Sequence, residues 1–334
     1  MKKYKHLSQE QRYHIYAFRK AGFSQKSIAQ ELQVSPSTIS REIRRNRGLK
    51  GYRPQQAHRL ACIRRSHAAR LNVHEVPAAT KQKALELICM DWSPEQISQS
   101  LKKSGLRVSH ETIYQWVIED RRQGGDLYTH LRRRQRKYNR RHGKDSGRGL
   151  LKDRVPIEQR SDKANNRLEY GHWEADTVLG KKTKGAVLVT LVERKSRFLL
   201  TAKAASKSAE DVTEAILKAA QPYQAIIRSI TFDNGKEFAL HKSIGLKLNC
   251  DTYFATPYHS WERGSNENTN GLLRQYFPKG KSLNEVTDEA FKQAQDRINH
   301  RPKRVLGYNA PDEIFNRVLK RYRRRYQLSL SELK

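Results

Sequence analysis

Thr231-Phe232-Asp233-Asn234-Gly235-Lys236-Glu237-Phe238 is the stretch that decides the fold class. It closes an apolar run, Ile226 to Phe232, with an aspartate and an Asn-Gly turn, so a strand is expected to end at a carboxylate. Upstream, His172 to Leu179, Ala186 to Glu193 and Phe198 to Lys203 read as three consecutive strands, followed by an alanine-rich helix from Ser208 to Ala220. Downstream, a fifth strand is expected over Thr252 to Ala255, with helices over Asn266 to Tyr276, Thr287 to Asn299 and from Ala310 or Pro311 into the basic run Lys320 to Arg325. That order implies a mixed five-stranded sheet covered by helices, an α/β domain.

Two aspartates are conspicuous in this frame. Asp176 lies inside the first strand, where a charge needs a reason, although an alternating strand can also turn it to solvent. Asp233 follows the strand that ends at Phe232, where Asp-Asn-Gly is also a good turn on its own. A third acid, Glu267, lies in Trp261-Glu262-Arg263-Gly264-Ser265-Asn266-Glu267-Asn268-Thr269-Asn270. On a helix advancing about 100° per residue, Asn270, Gly271 and Arg274 fall near Glu267, while Leu272, Leu273 and Tyr276 gather opposite. A merely solvated face has the same pattern. Three carboxylates suit a hard cation, Mg²⁺ with Mn²⁺ as a substitute, and two such ions about 3.5–4 Å apart can activate water and stabilise a leaving oxygen in phosphodiester cleavage. No G-x-S-x-G or Cys/His signature competes with them.

The N-terminal third is helical. Leu7 to Lys20 reads as an amphipathic helix opened by Ser8 and stopped by Gly22, and Ser24 caps a second containing Ile28, Ala29 and Leu32. After a turn at Gln33-Val34, Ser35 and Pro36 start a third helix with Ile39 and Ile43 on its inner face. Its other faces carry Ser37, Thr38, Ser40, Arg41, Arg44 and Arg45, suited to DNA bases and phosphates, as expected of a helix-turn-helix. A weaker copy follows: Val34-Ser35-Pro36-Ser37-Thr38-Ile39 recurs as Val108-Ser109-His110-Glu111-Thr112-Ile113, preceded by a helix that begins at Ser93-Pro94 and breaks at Gly105. Glu111, Glu119 and Asp120 leave this second unit open to packing or dimer contacts as much as to bases.

Charge points to a polyanion. The 334 residues hold 67 Lys+Arg against 34 Asp+Glu, a net charge of +33. Residues 121 to 154 concentrate it, with thirteen Lys/Arg and three Asp, and read as a basic linker hugging phosphates. Cys62, Cys89 and Cys250 lie far apart, without metal-finger spacing, which supports neither a disulfide framework nor a zinc site. The apolar runs are too short to span a bilayer and no signal segment is visible, so a soluble cytoplasmic, nucleoid-associated protein with no membrane partner is expected.

Gly171-His172-Trp173-Glu174-Ala175-Asp176-Thr177, the stretch Thr231 to Phe238, and Tyr258-His259-Ser260-Trp261-Glu262-Arg263-Gly264-Ser265-Asn266-Glu267-Asn268 together resemble the bacterial insertion-sequence transposases of the IS-thirty family. The resemblance covers nearly the whole chain, and the 33 residues between Asp233 and Glu267 match this type of acidic triad. It implies a ribonuclease-H-like, retroviral-integrase-like catalytic domain in which Asp176, Asp233 and Glu267 hold divalent metal. It also implies an N-terminal region that binds the element's terminal inverted repeats. The implied chemistry is cleavage by water to free a 3′ hydroxyl, then attack of that hydroxyl on target DNA. Double-stranded DNA and further copies of the chain, as a dimer or higher oligomer, are the implied partners. Arg263, Asn270 and Arg274 are the DNA contacts expected in the core, with Asn234, Lys236, His259 and Asn266 as further neighbours and Tyr258 and Trp261 placed to stack on a base.

The expected organisation is a helix-turn-helix domain over 1–70, a second helical domain over 71–122, a basic linker over 123–160, the catalytic core over 161–318 and a basic tail over 319–334. Two other readings stay open: a metal-dependent nuclease or integrase of the same fold, and a catalytically inert DNA-binding repressor.

Overall fold

The computed structural model describes residues 6–71, 76–132, 153–181, 185–257 and 259–326, with the backbone alone for 68–71, 260, 261 and 326. Most of the expected linker, Tyr258, the Trp261 side chain and the end of the basic tail lie outside the described residues. The chain forms two compact units that divide between Glu75 and Val76.

In the first unit, α1 (Gln9–Lys20), α2 (Gln25–Glu31) and α3 (Pro36–Asn46) follow the capping chemistry of the sequence. The side chains of Ser8, Ser24 and Ser35 accept from the backbone N–H groups of Gln11, Ser27 and Thr38, satisfying donors that a helix start leaves bare. Gln33, where a glycine is common, takes the left-handed conformation at φ +51° between α2 and α3. Ile15, Ile28 and Ile39 meet fully buried at the centre. A small hairpin, β1 (Arg47–Gly48) with β2 (Gly51–Tyr52), leads to α4 (Pro54–Leu71), a long helix that the apolar pattern did not announce. Beneath α3, Arg12 donates to Glu42 at 2.7 Å, and Tyr52 Oη donates to the same carboxylate at 3.2 Å.

The second unit opens with α5 (Ala78–Cys89), α6 (Pro94–Lys103) and α7 (His110–Arg122), packed around Ala84, Ile88, Ile97, Leu101 and Ile113. After α8 (Asp162–Asn165) comes the sheet: β3 (His172–Leu179), β4 (Val187–Glu193), β5 (Leu199–Ala204), β6 (Ser229–Phe232) and β7 (Asp251–Phe254). Its order is β5-β4-β3-β6-β7, antiparallel from β5 to β3 and parallel from β3 to β7, the mixed five-stranded sheet expected. Gly171, at φ +97°, lets β3 start hard against β6, where an added side chain would collide with the Ile226 carbonyl.

One sheet face carries Trp173, Ala175, Val189, Leu191, Ile230 and Phe232, covered by residues of α9 (Ala209–Ala220), α10 (His241–Leu248) and α13 (Pro311–Tyr326). The other carries Val178, Leu188, Val192 and Leu199 under α11 (Gly264–Leu273) and α12 (Asp288–Asn299). Two expected boundaries move by three residues. The strand expected from Ile226 begins only at Ser229, because Gln221–Ile226, with Pro222, winds as a 3₁₀ segment. The helix expected to reach Tyr276 ends at Leu273, where Tyr276 and Phe277 both donate to the Leu273 carbonyl. No described helix is long and apolar enough to cross a membrane.

Candidate active site

Alternation along β3 explains the charge inside it. Trp173 and Ala175 belong to one core, whereas Val178 belongs to the other, so Glu174 and Asp176 project toward α11. Glu174 is fully buried, and it accepts from Arg194 and, at 3.1 Å, from the Asn266 backbone N–H, which anchors the first turn of α11 to the sheet. Asp176, one repeat further, accepts from Asn270 Nδ2 at 2.9 Å and is only partly covered.

Asp233 follows the end of β6, the strand parallel to β3, so the two aspartates arrive from adjacent strands. Its Oδ1 accepts from the Gly235 N–H at 2.8 Å, so the expected turn chemistry is there as well. Between the two acids lies Arg263, at the start of α11. Its guanidinium is 3.7 Å from Asp176 Oδ2 and 3.6 Å from Asp233 Oδ2, and it also donates to the Ala175 carbonyl at 3.1 Å. Burial pushes the Asp176 carboxyl up to about 6; Arg263 opposes this, while Asp233 and Glu237 add to it.

Glu237 is a neighbour that the sequence reading passed over. It is buried, 3.0 Å from Lys207 Nζ, and accepts from Thr177 Oγ1 at 3.2 Å. Glu267 is exposed on α11, three residues before Asn270. Among the described residues, no trio of His, Cys, Asp or Glu stands close enough together to hold a metal ion. What is assembled is an oxygen-donor pair, Asp176 and Asp233, around a point that a cationic group, the Arg263 guanidinium, already occupies. Such a donor set fits a hard divalent cation.

The other expected contacts are partly engaged within the protein. Arg274 donates to the Leu179 carbonyl at 2.6 Å, and Asn234 accepts from Arg154 and donates to the Ala255 carbonyl at 2.7 Å. His259 Nδ1 lies 3.3 Å from Glu262, and the Asn266 side chain is buried with neither amide atom bonded. On α3, Ser37, Ser40, Arg41, Arg44 and Arg45 are exposed and Thr38 is half-buried; Arg41 folds back to donate to the Ser37 carbonyl at 3.0 Å and to Ser37 Oγ at 2.9 Å.

Comparison with known proteins agrees with both halves of the chain. A family described as a helix-turn-helix domain matches residues 3–46, and one described as an integrase core domain matches residues 167–260. The transposase for insertion sequence element IS4351 of Bacteroides fragilis is 41% identical over 318 residues, covering 94% of this chain and 97% of that protein. Transposase InsI for insertion sequence element IS30A of Escherichia coli (strain K12) is 36% identical over 329 residues, covering 93% of this chain and 84% of that protein. The catalytic core domain of BIV integrase aligns with 45% of this chain and 96% of its own length, at 20% identity and a TM-score of 0.36. With relatives of this identity along most of its length, the chain belongs to the IS30 family of insertion-sequence transposases, a helix-turn-helix domain ahead of an integrase core.

Proposed function

We propose that the chain binds the terminal inverted repeats of its insertion sequence, cuts the DNA ends by metal-dependent hydrolysis and joins the freed 3′ hydroxyl to target DNA. The observation that carries this reading is the pairing of Asp176 and Asp233 from adjacent strands around one cationic position. Asp176, Asp233 and Glu267 would hold Mg²⁺ or Mn²⁺, the metals expected of an integrase core. Bound there, the metal supplies an activated water or hydroxyl and a counter-charge for the leaving oxygen.

The chain's own residues do the rest. Asn270 orients Asp176 through its Oδ2, and Glu174 fixes the first turn of α11 and so the course of the helix that carries Glu267. Arg263 neutralises the acid pair and, swung toward a phosphodiester, would share the charge of the scissile phosphate. The exposed face of α3 supplies Ser37, Thr38, Ser40, Arg41, Arg44 and Arg45 to the repeat, and copies of the chain bring two ends together.

The test is cleavage and strand transfer on labelled DNA carrying the element's own end, with Mg²⁺. Asp233→Asn and Glu267→Gln are expected to bind that DNA normally and to lose about three orders of magnitude or more in both steps, since the metal is worth several kcal/mol. Full activity in either variant would remove that residue from the triad.

A further inference from the structure

Lys303 is nine-tenths buried, and its backbone is held firmly. Its N–H donates to the Asn309 carbonyl at 3.1 Å, and its own carbonyl accepts from Leu306 and Tyr308, each at 2.9 Å. The preceding Pro302 carbonyl accepts from Gln96 Nε2 at 2.7 Å. A lysine in such a place ordinarily has a carboxylate beside it. Here the charges that bear on it among the described residues are Arg197, Arg301 and Arg132, all positive; burial first, then these arginines, push the ammonium down to about 7.

The arginines are as firmly placed. Arg301, 3% exposed, donates to Gln275 at 3.3 Å and to Tyr276 Oη, and its buried Nε has no partner. Arg197, at φ +63° in the turn between β4 and β5, donates to Ser265 Oγ. Arg167 donates to the same oxygen at 3.4 Å and likewise has a buried Nε without a partner. Arg132 reaches Asn268 on α11 at 3.5 Å. The carboxylates these groups approach are shared with other partners: Asp91, 3.6 Å from Arg301, also accepts from Tyr276 and Arg297 at 2.7 and 2.9 Å, and Glu174 accepts from Arg194 and the Asn266 N–H. Cations from separate parts of the chain thus gather along α11: Arg167 and Arg197 at Ser265 and Arg132 at Asn268, near its electropositive N-terminal end, and Arg301 at Gln275 and Tyr276, beyond its last residue Leu273. Arg132 is exposed and Arg167 and Arg197 are half-exposed, which leaves an approach from solvent. Ser265 is two residues beyond Arg263, the residue between the catalytic aspartates.

We propose that Lys303, Arg301, Arg197, Arg167 and Arg132 form a cradle along α11 for the phosphate backbone of DNA beside the phosphate that is cut. The proposal rests on the DNA-processing reading above. An anion in the cradle satisfies the orphaned guanidinium nitrogens and relieves the mutual repulsion of the cations, so free protein and DNA complex differ in how costly these charges are.

Two measurements on the full chain test it. The first follows thermal unfolding without DNA, in inorganic phosphate against chloride at matched ionic strength. Wild type gains stability with phosphate. Lys303→Met, which keeps the volume and removes the charge, melts higher than wild type in chloride and shows a smaller phosphate gain; Arg197→Gln, at a part-exposed site, shows the same reduced gain. The second measures binding to a duplex carrying the element's end across a salt series. Each variant binds about tenfold more weakly, with the slope of log K against log salt reduced by about 0.9, one phosphate's worth. A wild-type phosphate response in Arg197→Gln, together with an unchanged salt slope in both variants, overturns the cradle. If that happens while Asp233→Asn still abolishes cutting, the catalytic reading survives; if Asp233→Asn cuts normally, that reading fails independently.

Discussion

The helices α1–α3 and α5–α7 are built by one recipe and turned to different surroundings. Ser8 with Gln11 at the start of α1 and Ser93 with Gln96 at the start of α6 form the same reciprocal capping box. Ser35 and Ser109 accept from the N–H groups of Thr38 and Thr112 at 3.2 and 3.0 Å, and Ile39 and Ile113 are both fully buried. The outer faces differ. α3 presents Arg41, Arg44 and Arg45, whereas α7 presents Glu111 and Glu119, each accepting from a glutamine one turn on, at 3.1 and 2.8 Å. The second set is also fastened to the catalytic core. The amide of Gln96 completes its capping box with Oε1 and donates through Nε2 to Pro302, and Lys103 Nζ donates to the Tyr308 carbonyl at 2.8 Å. The caps and buried isoleucines fix the shape that repeats; the charge of the outer face and the fastening separate the roles.

The largest effect should come from breaking the fastening. Asp91, 7% exposed at its side chain, accepts from Tyr276 at 2.7 Å and from Arg297 at 2.9 Å, and lies 2.9 Å from His130 Nδ1. Asp91→Ala leaves Arg301 buried with one fewer acceptor nearby and is expected to cost about 3 kcal/mol or more in denaturant unfolding of the unit that begins at Val76. Glu42→Ala, which breaks the buried pair with Arg12, should have an effect of the same class confined to the first unit. Burial alone would raise the Asp91 carboxyl, but hydrogen bonds from His130, Tyr276 and Arg297 outweigh it and hold it below its ordinary value. A carboxyl depressed on folding stabilises fully above its unfolded pKa and loses that contribution as pH falls through the folded one. The gap between wild type and Asp91→Ala should therefore be flat from pH 7 to about 4 and shrink below that. A gap that widens on acidification would contradict the assignment.

A smaller effect should separate the two outer faces. Arg44→Gln and Arg45→Gln are each expected to weaken binding to the element's end by about 1–3 kcal/mol for a base contact, or to lower the salt slope by about 0.9 for a phosphate contact. Glu111→Gln and Glu119→Gln, on the corresponding face of α7, should leave both quantities unchanged. Loss of DNA binding in the glutamate variants would show that the second set also reads DNA and would erase the distinction.

Much of this was legible because it is local. Serine caps, the strands of the sheet and Asp176 on an alternating strand all follow from residues within a few positions of one another. What escaped depends on distant partners or weak periodicity. Among the described side chains of α4, Ala57 is fully buried, and arginines and histidines recur along the helix, so no strong apolar stripe marked it. α10 carries Ile244 and Leu248 at helical spacing, but its eight residues and internal Gly245 hid the signal. Glu237 stands in the very stretch that decided the fold, yet its burial is set by Thr177, 60 residues away in the chain, and by Lys207. Lys303 looks like any surface lysine until the fold buries it where, among the described residues, only positive charges bear on it.

The smallest expected effect is the one that tests the shared recipe. Ser35→Ala and Ser109→Ala each remove one side-chain acceptor from an exposed helix start and should each cost about 1 kcal/mol. The responses should differ in reach, because the first unit contains few elements and the second contains the whole catalytic core. In thermal unfolding, Ser35→Ala should lower the transition of the first unit and leave the other in place. Ser109→Ala should move the larger transition by a smaller number of degrees, since the same free energy is spread over a larger unfolding entropy. Hydrogen exchange at Thr38 and Thr112, the amides that lose their acceptor, separates a cap that was merely replaced by water from one that held the helix start closed. Faster exchange confined to those first turns fits equal caps on unequal units, whereas faster exchange spreading through α7 into α6 would mean that the second cap also supports the fastening to the core.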